Sequence, residues 1–285
     1  AGLRNYMIEM LKYWVRDEEI DGFRCDVAEM VPTDFWETAR AALDSIKPVI
    51  MLSEGTYPEH HLKAFDLTYG WNLYGLLAQL ISRQIAPDQI DSLLAQERRV
   101  FPAGSLRLRF SSNHDENAWD KPDVEKFGAD GTLLAAVIVN TLPGVPLLYN
   151  GQEVGNSLKL GLFEKFTIDW NVKNHYRSFY SQLYAARKNG SALSAGSFVR
   201  IHTSADNSVY AFLRATPGDT ILVAINFGAA SFSGSLDASA FGARTSGALR
   251  CTDLMTNKRV TLHGGTDGGI MLSLPSSGFT LLKIN

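Results

Sequence analysis

GFRCD at residues 22–26 and VIMLSE at residues 49–54 are two short runs that each end on a carboxylate, Asp26 or Glu54. A parallel strand covered on both faces is expected to be apolar, so an acidic residue at its C-terminal end is unfavourable for packing and suited to chemistry. A third carboxylate, Asp115, follows the strand-like run 106–111. The three runs predict buried strands with catalytic side chains at their carboxyl ends.

Helical patterns alternate with these strands through the first two-thirds of the chain, which favours a parallel sheet joined by helical crossovers. Asp34 and Glu37 predict a capping box at the start of the helix between the first two strands. The remaining strands of this part are predicted at 64–68 and 146–149, and its helices at 2–11, 74–81, 87–97, 133–142 and 175–189.

After residue 189 the pattern changes to short alternating strands separated by Gly, Ser, Asn and Asp. These strands are predicted at 198–202, 209–214, 221–226, 258–262 and 278–284. The sequence therefore predicts two domains, residues 1–190 and an all-β domain of residues 191–285.

The composition is that of an ordinary globular protein, with 45% hydrophobic and 20% charged residues and a net charge of −3. This small, evenly spread charge argues against nucleic acid or a membrane surface as the partner, and a neutral ligand fits better. Cys25 and Cys251 lie far apart and match no zinc spacing, so neither a disulfide nor a zinc site is expected. We also expect no signal peptide and no membrane span.

Four segments, taken in order, are similar to signatures of the α-amylase family, glycoside hydrolase family 13. GFRCD at 22–26, SEG at 53–55 and SNHDE at 112–116 resemble its second, third and fourth signatures. GVPLLYNGQE at 144–153 resembles the signature on the last barrel strand. The resemblance implies an α/β fold, a partial TIM-type (β/α) barrel holding strands four to eight, followed by a C-terminal antiparallel β-sandwich domain.

Breaking a glycosidic bond with retention requires a carboxylate nucleophile and a carboxylic acid about 5–5.5 Å apart. The resemblance implies that Asp26 is the nucleophile and Glu54 the acid/base, and that Asp115 and His114 bind sugar hydroxyls. Arg24 lies two residues before Asp26 on the same strand face, where its guanidinium would keep the nucleophile ionised.

Each of these residues also has a purely structural interpretation. Residues 113–116 taken alone are equally consistent with a turn or a helix N-cap. Arg24 could be the partner of a buried ion pair, and His114 a core histidine. Core or loop packing also explains four aromatic residues near strand ends better than a role as sugar platforms: Tyr57, Trp71, Trp119 and Tyr149.

No segment matches family strands one to three or the first family signature. We therefore expect the chain to be part of a longer protein, with open barrel edges that a homodimer could cover. The resemblance implies no cofactor in this chain, and leaves calcium in the intact enzyme to the missing N-terminal part.

The predicted function is retaining hydrolysis of α-1,4-glucosidic bonds in starch or maltooligosaccharides, by endo or exo cleavage. The chain by itself is expected to be weakly active or inactive, because catalysis needs a complete pocket. Two alternatives stay open: an α-glucan transglycosylase or isomerase of the same family, and a non-catalytic carbohydrate-binding scaffold.

Overall fold

The computed structural model describes residues 2–189, 191–245 and 248–285. Its internal contacts divide it into two units, one formed by Ala1–Trp71 with Leu93–Leu108 and the other by Asn72–Ser92 with Arg109–Asn285. The predicted boundary at Gly190 lies outside the described residues, so the division into domains 1–190 and 191–285 stays a prediction.

The first unit opens with a helix and then alternates strands with helices. Its elements are α1 (Gly2–Arg16), β1 (Gly22–Cys25), α2 (Thr33–Asp44), β2 (Ile50–Ser53), α3 (His60–Lys63) and β3 (Leu67–Tyr69). The chain passes between the units within the next three elements, α4 (Trp71–Ile81), α5 (Gln89–Val100) and β4 (Leu106–Arg109).

Strands β1 to β4 pair in parallel, with Gly22 opposite Ile50 and Leu67 opposite both Leu52 and Leu106. Strand β5 (Val145–Pro146) completes a five-stranded sheet in chain order, β1-β2-β3-β4-β5. This order confirms the predicted alternation of parallel strands and helices. Because Asp26 and Glu54 follow the last residues of β1 and β2, both lie at the carboxyl edge.

The core of the first unit lies between α2 and the neighbouring strands. Phe35, Trp36, Ala39 and Leu43 are buried on one face of α2, at the spacing of an amphipathic helix. Met51 of β2 is fully buried in the same cluster. Burial of one such large side chain contributes roughly 1.5–3 kcal/mol.

Among the described residues, the second unit holds four further α-helices and the antiparallel strands. The helices are α6 (His114–Trp119), α7 (Asp123–Thr141), α8 (Tyr176–Asn189) and α9 (Ser191–Ala195). The strands are β6 (Ser197–Ile201), β7 (Val209–Thr216), β8 (Asp219–Asn226), β9 (Phe232–Leu236), β10 (Ala248–Asp253), β11 (Arg259–His263), β12 (Ile270–Leu274) and β13 (Phe279–Ile284).

These strands form a six-stranded sheet in the order β11-β10-β13-β8-β7-β6 and a two-stranded sheet of β12 and β9. One hydrophobic cluster holds buried side chains from both sheets, such as Leu222 from the larger and Leu272 from the smaller. This arrangement is the predicted C-terminal antiparallel β domain.

The predicted capping box is wrong. Helix α2 starts at Thr33, and Pro32 occupies the N-cap position without a side-chain cap. Asp34 instead accepts a hydrogen bond from Arg4 Nη1 at 2.6 Å, because α1 brings this distant guanidinium alongside the first turn. A carboxylate in the first turn remains favourable through the helix dipole.

Other predicted boundaries moved as well. The third strand is Leu67–Tyr69, shorter than the predicted 64–68, because His60–Lys63 form a helical turn that ends on Ala64. The helix predicted at 133–142 begins ten residues earlier at Asp123 and is kinked at Gly128, where φ is 70°.

Cys25 and Cys251 are both buried and carry free thiols. Among the described helices, none combines the length and the apolarity that a membrane crossing requires.

Candidate active site

Arg24 connects the two carboxylates predicted to carry the chemistry. Its Nη1 donates a hydrogen bond to Asp26 Oδ1, and its Nη2 lies 2.9 Å from Glu54 Oε1. The structure thus brings Arg24, Asp26 and Glu54 together in the first unit. Their predicted catalytic roles stay predictions.

The two carboxylates have different surroundings. The Asp26 side chain is 75% exposed, whereas that of Glu54 is 16% exposed. Glu54 Oε2 accepts the backbone N–H of Val27 at 2.8 Å, so both of its oxygens have a partner. Glu54 is therefore held in place, while Asp26 faces solvent and is open to a ligand.

Val27 has φ 41° and ψ 45°, a left-handed conformation that is unfavourable for a β-branched residue. This turn aims the Val27 N–H at the Glu54 carboxylate. Strain of this kind costs about 1–3 kcal/mol and is concentrated at functional sites in proteins.

Tyr69, at the end of β3, is a third contact of Arg24 and was not singled out from the sequence. Arg24 Nε donates to the Tyr69 hydroxyl at 3.3 Å, and the Tyr69 ring stacks on Trp71 at 5.4 Å. Burial alone would lower the pKa of Arg24, but its bonds to Tyr69 and Asp26 outweigh burial and raise it. Arg24 therefore stays a cation beside the carboxylates.

Gly55 lets Glu29 support the segment that carries Glu54. A side chain at Gly55 would place its Cβ 2.6 Å from Glu29 Cγ. Glu29 Oε1 accepts hydrogen bonds from the Thr56 N–H and hydroxyl, the latter at 3.0 Å. The sequence contained the signal, a glycine directly after a strand-end glutamate, but not the identity of its neighbour.

His114 and Asp115 are the first two residues of α6 in the second unit. Asn113 caps this helix, because its side chain accepts the Glu116 N–H at 2.8 Å. His114 Nε2 lies 3.4 Å from Asp115 Oδ2. The N-cap interpretation of this segment therefore applies to Asn113 and leaves both predicted sugar-binding side chains partly exposed.

The four aromatic residues noted in the sequence have different environments. Trp119 is 70% exposed at the end of α6, and Tyr57 is 42% exposed. Trp71 stacks on Tyr69 in the first unit, and Tyr149 packs beside Val154, Leu160 and Ile168 in the second. Trp119 and Tyr57 are thus the two most accessible rings of this set.

No group of three or more His, Cys, Asp or Glu side chains in the described ranges could hold a metal ion.

Known proteins with similar sequences are named alpha-amylase or cyclomaltodextrinase. Alpha-amylase MalA of Haloarcula japonica is 29% identical over 235 residues, which cover 79% of this chain and 34% of that protein. The cyclomaltodextrinase of Thermoanaerobacter pseudethanolicus is 26% identical over 241 residues, which cover 79% of this chain and 40% of that protein. No family model matches the chain.

One solved structure is similar to this chain over almost its whole length. The noncanonic maltogenic alpha-amylase AmyB of Thermotoga neapolitana superimposes with a TM-score of 0.87 at 28% identity, covering 99% of this chain and 66% of that one. The chain resembles the α-amylase family in sequence and in fold. It corresponds to the C-terminal portion of this family's fold, a partial barrel followed by a β domain.

The chain spans roughly a third to two-fifths of the length of these two curated α-amylase family relatives, 34% and 40%. The likeness supports the family and fold.

Proposed function

We propose that the protein is a retaining α-glucan hydrolase that cleaves α-1,4-glucosidic bonds in starch or maltooligosaccharides, by endo or exo action. The contact of one guanidinium with both Asp26 and Glu54 carries this proposal. Relatives named alpha-amylase and cyclomaltodextrinase support an α-glucan as the substrate.

In the proposed first step, the Asp26 carboxylate attacks the anomeric carbon while Glu54 donates a proton to the departing glycosidic oxygen. Arg24 orients the Asp26 carboxylate through a charge-assisted hydrogen bond. The product is a glycosyl ester on Asp26 and a free sugar hydroxyl.

In the second step, Glu54 removes a proton from water, which attacks the same carbon and releases Asp26. The Val27 N–H and Arg24 hold the Glu54 oxygens in position for both transfers. From the family resemblance we carry over the roles of Asp115 and His114, which would bind sugar hydroxyls and support the distorted ring.

The test compares this chain, a longer protein that includes the three preceding barrel strands, and that longer protein with Glu54→Gln. Glu59→Gln is the matched control, because Glu59 is exposed a few residues away. Reducing-end release and product size from soluble starch and a short maltooligosaccharide are measured.

We expect the longer protein and its Glu59→Gln control to release sugars, and Glu54→Gln and the chain alone to release little or none. Products longer than the substrate would show transglycosylation, the first alternative. A silent longer protein that still binds maltooligosaccharide would refute hydrolysis in favour of a carbohydrate-binding scaffold.

We also propose that a second copy of the chain covers the exposed side of the first unit. Helix α1 exposes apolar side chains three or four residues apart, hereafter the α1 stripe: Leu3, Tyr6, Met7, Met10, Tyr13 and Trp14. In the described part of the chain, β1 pairs only with β2, so its other edge is open to a further strand.

Calcium is proposed only for the longer enzyme. No group of three or more His, Cys, Asp or Glu side chains among the described residues could hold a metal ion, which supports this placement.

A further inference from the structure

Asp123 is a buried carboxyl group at the start of α7, only 4% exposed. Its Oδ2 accepts hydrogen bonds from Ser111 Oγ at 2.5 Å and from Gln152 Nε2 at 2.6 Å. Within the described residues, its Oδ1 has no hydrogen-bond partner. Burying a carboxyl group that has an oxygen without a hydrogen bond costs free energy of folding.

The Ser111–Asp123 bond closes a loop. Ser111 lies two residues beyond the end of β4 and Asp123 begins α7, so the bond joins the two ends of the segment 112–122. This segment contains α6 with His114 and Asp115. A hydrogen bond that joins the two ends of a loop restricts the motion of the residues within the loop.

Gln152 adds a second strand end, that of β5, to the same cluster. Its Nε2 also donates to Ser111 Oγ at 3.0 Å, and its Oε1 accepts the Tyr149 N–H at 2.5 Å in the turn after β5. Asp123 therefore joins the end of β4, the start of α7 and the turn after β5.

A cavity of about 10 Å³ lies beside this cluster, lined by residues that include Asp123, Tyr149 and Gln152. This volume matches the space that a single buried water requires. The cluster is thus hydrogen-bonded on one side and faces a small cavity on the other.

A separate set of contacts holds the outer side of the segment 112–122. Lys126 Nζ lies 2.7 Å from Asp120 Oδ2 and donates to the Tyr74 hydroxyl, which in turn donates to Glu116. These contacts are partly exposed, whereas the Ser111–Asp123 bond at the base of the segment is buried. A buried bond resists water better, so Asp123 has the stronger influence on the base of the loop.

We propose that Asp123 is a positioning residue that holds the segment 112–122, and with it His114 and Asp115, in the geometry needed to bind sugar. It acts through Ser111 and Gln152 and does not itself touch substrate. This inference rests on the proposed hydrolase function for its effect on activity, but the loop closure can be measured without it.

The structural test is hydrogen exchange of the chain, followed by mass spectrometry. The variants are Asp123→Ala, which removes both accepted bonds, and Asp123→Asn, whose amide oxygen can still accept them. Glu125→Ala is the control, because Glu125 is exposed in the same first turn of α7. We expect exchange in 112–122 to rise about tenfold in Asp123→Ala alone, with the rest of the chain unchanged.

The functional test uses the longer protein from the starch assay. We expect Asp123→Ala to lower kcat/KM about 100-fold, mainly through kcat, with activity largely restored in Asp123→Asn and unchanged in Glu125→Ala. A merely structural role would lower Tm without changing kcat well below that temperature.

Unchanged exchange in 112–122 of Asp123→Ala, or exchange raised uniformly along the chain, would overturn the proposal. So would faster local exchange combined with unchanged kcat/KM. If the longer wild-type protein has no activity, the hydrolase proposal fails, and the exchange comparison alone still decides whether Asp123 closes the loop.

Discussion

The pKa values of Arg24 and His61 depend on contacts with residues from neighbouring segments of the first unit. Arg24 remains a cation next to Asp26 and Glu54 because Tyr69 and Asp26 accept its hydrogen bonds. His61 shows the opposite effect in the same unit. Burial and the neighbouring Arg107 lower the pKa of His61 to about 4, while its Nε2 lies 2.7 Å from Thr68 Oγ1.

This shift predicts acid sensitivity of folding. The folded pKa of His61 lies below the ordinary histidine value of about 6.5, so its stabilising effect is complete above pH 6.5 and is lost as pH falls toward 4. Arg107 and His60 oppose the added proton, and Asp66 favours it. We expect His61→Gln to flatten the fall in unfolding free energy between pH 6.5 and 4.

Urea unfolding at several pH values measures this effect. His263→Gln is the control, because His263 is exposed on β11. Parallel pH profiles for wild type and His61→Gln would show that His61 does not titrate with folding.

At the scale of elements, the pairing of β1 with β2 depends on a residue without a side chain. Gly22 has φ +152°, and a Cβ there would lie 1.9 Å from the Ile50 carbonyl oxygen. Gly22 is paired with Ile50 in the register that brings Asp26 and Glu54 to one edge. The same register would be impossible with any larger residue unless the strands moved apart.

Two glycine substitutions should therefore have opposite effects. Gly22→Ala is expected to lower the free energy of unfolding by about 3 kcal/mol, because backbone atoms block the new methyl group. Gly75→Ala is expected to raise it by roughly 0.5–1 kcal/mol, because Gly75 lies inside α4 with no atom within 4 Å of a Cβ. Chemical denaturation of both variants measures the difference, and equal changes would contradict this account.

Helix α1 matters at the scale of the whole molecule. It buries Val15 and packs Ile8 and Leu11 against the core, yet the α1 stripe stays exposed. A contiguous apolar surface of this kind marks an interaction site or an aggregation hazard. Together with the open edge of β1, it supports self-association.

We expect the chain to associate reversibly into a dimer, and Tyr6→Glu combined with Met10→Lys to shift it to monomer. Light scattering after size exclusion at several concentrations gives the mass. Lys63→Glu, an exposed substitution on α3, is the control. A wild-type mass equal to that of the monomer at every concentration would refute the dimer.

Much of this fold and candidate site followed from local patterns. The short runs ending on Asp26 and Glu54, and the change to alternating strands after α8, depend on neighbouring residues, so the sequence alone predicted them. The position of Arg24 two residues before Asp26 likewise predicted their shared face. The start of α2 did not follow from local patterns. Asp34 in its first turn contacts Arg4, which lies thirty residues earlier in the chain.

Contacts between distant segments were decided only by the tertiary structure. Tyr69 reaches Arg24 across 45 positions, and Gln152 reaches Ser111 across 41. No local spacing indicates such partners, because they meet only after parallel strands align their carboxyl ends. The sequence by itself predicted which side chains carry the chemistry, and only the tertiary structure decided which neighbours hold Arg24 and Asp123 in place, since those neighbours are distant along the chain and adjacent only in space.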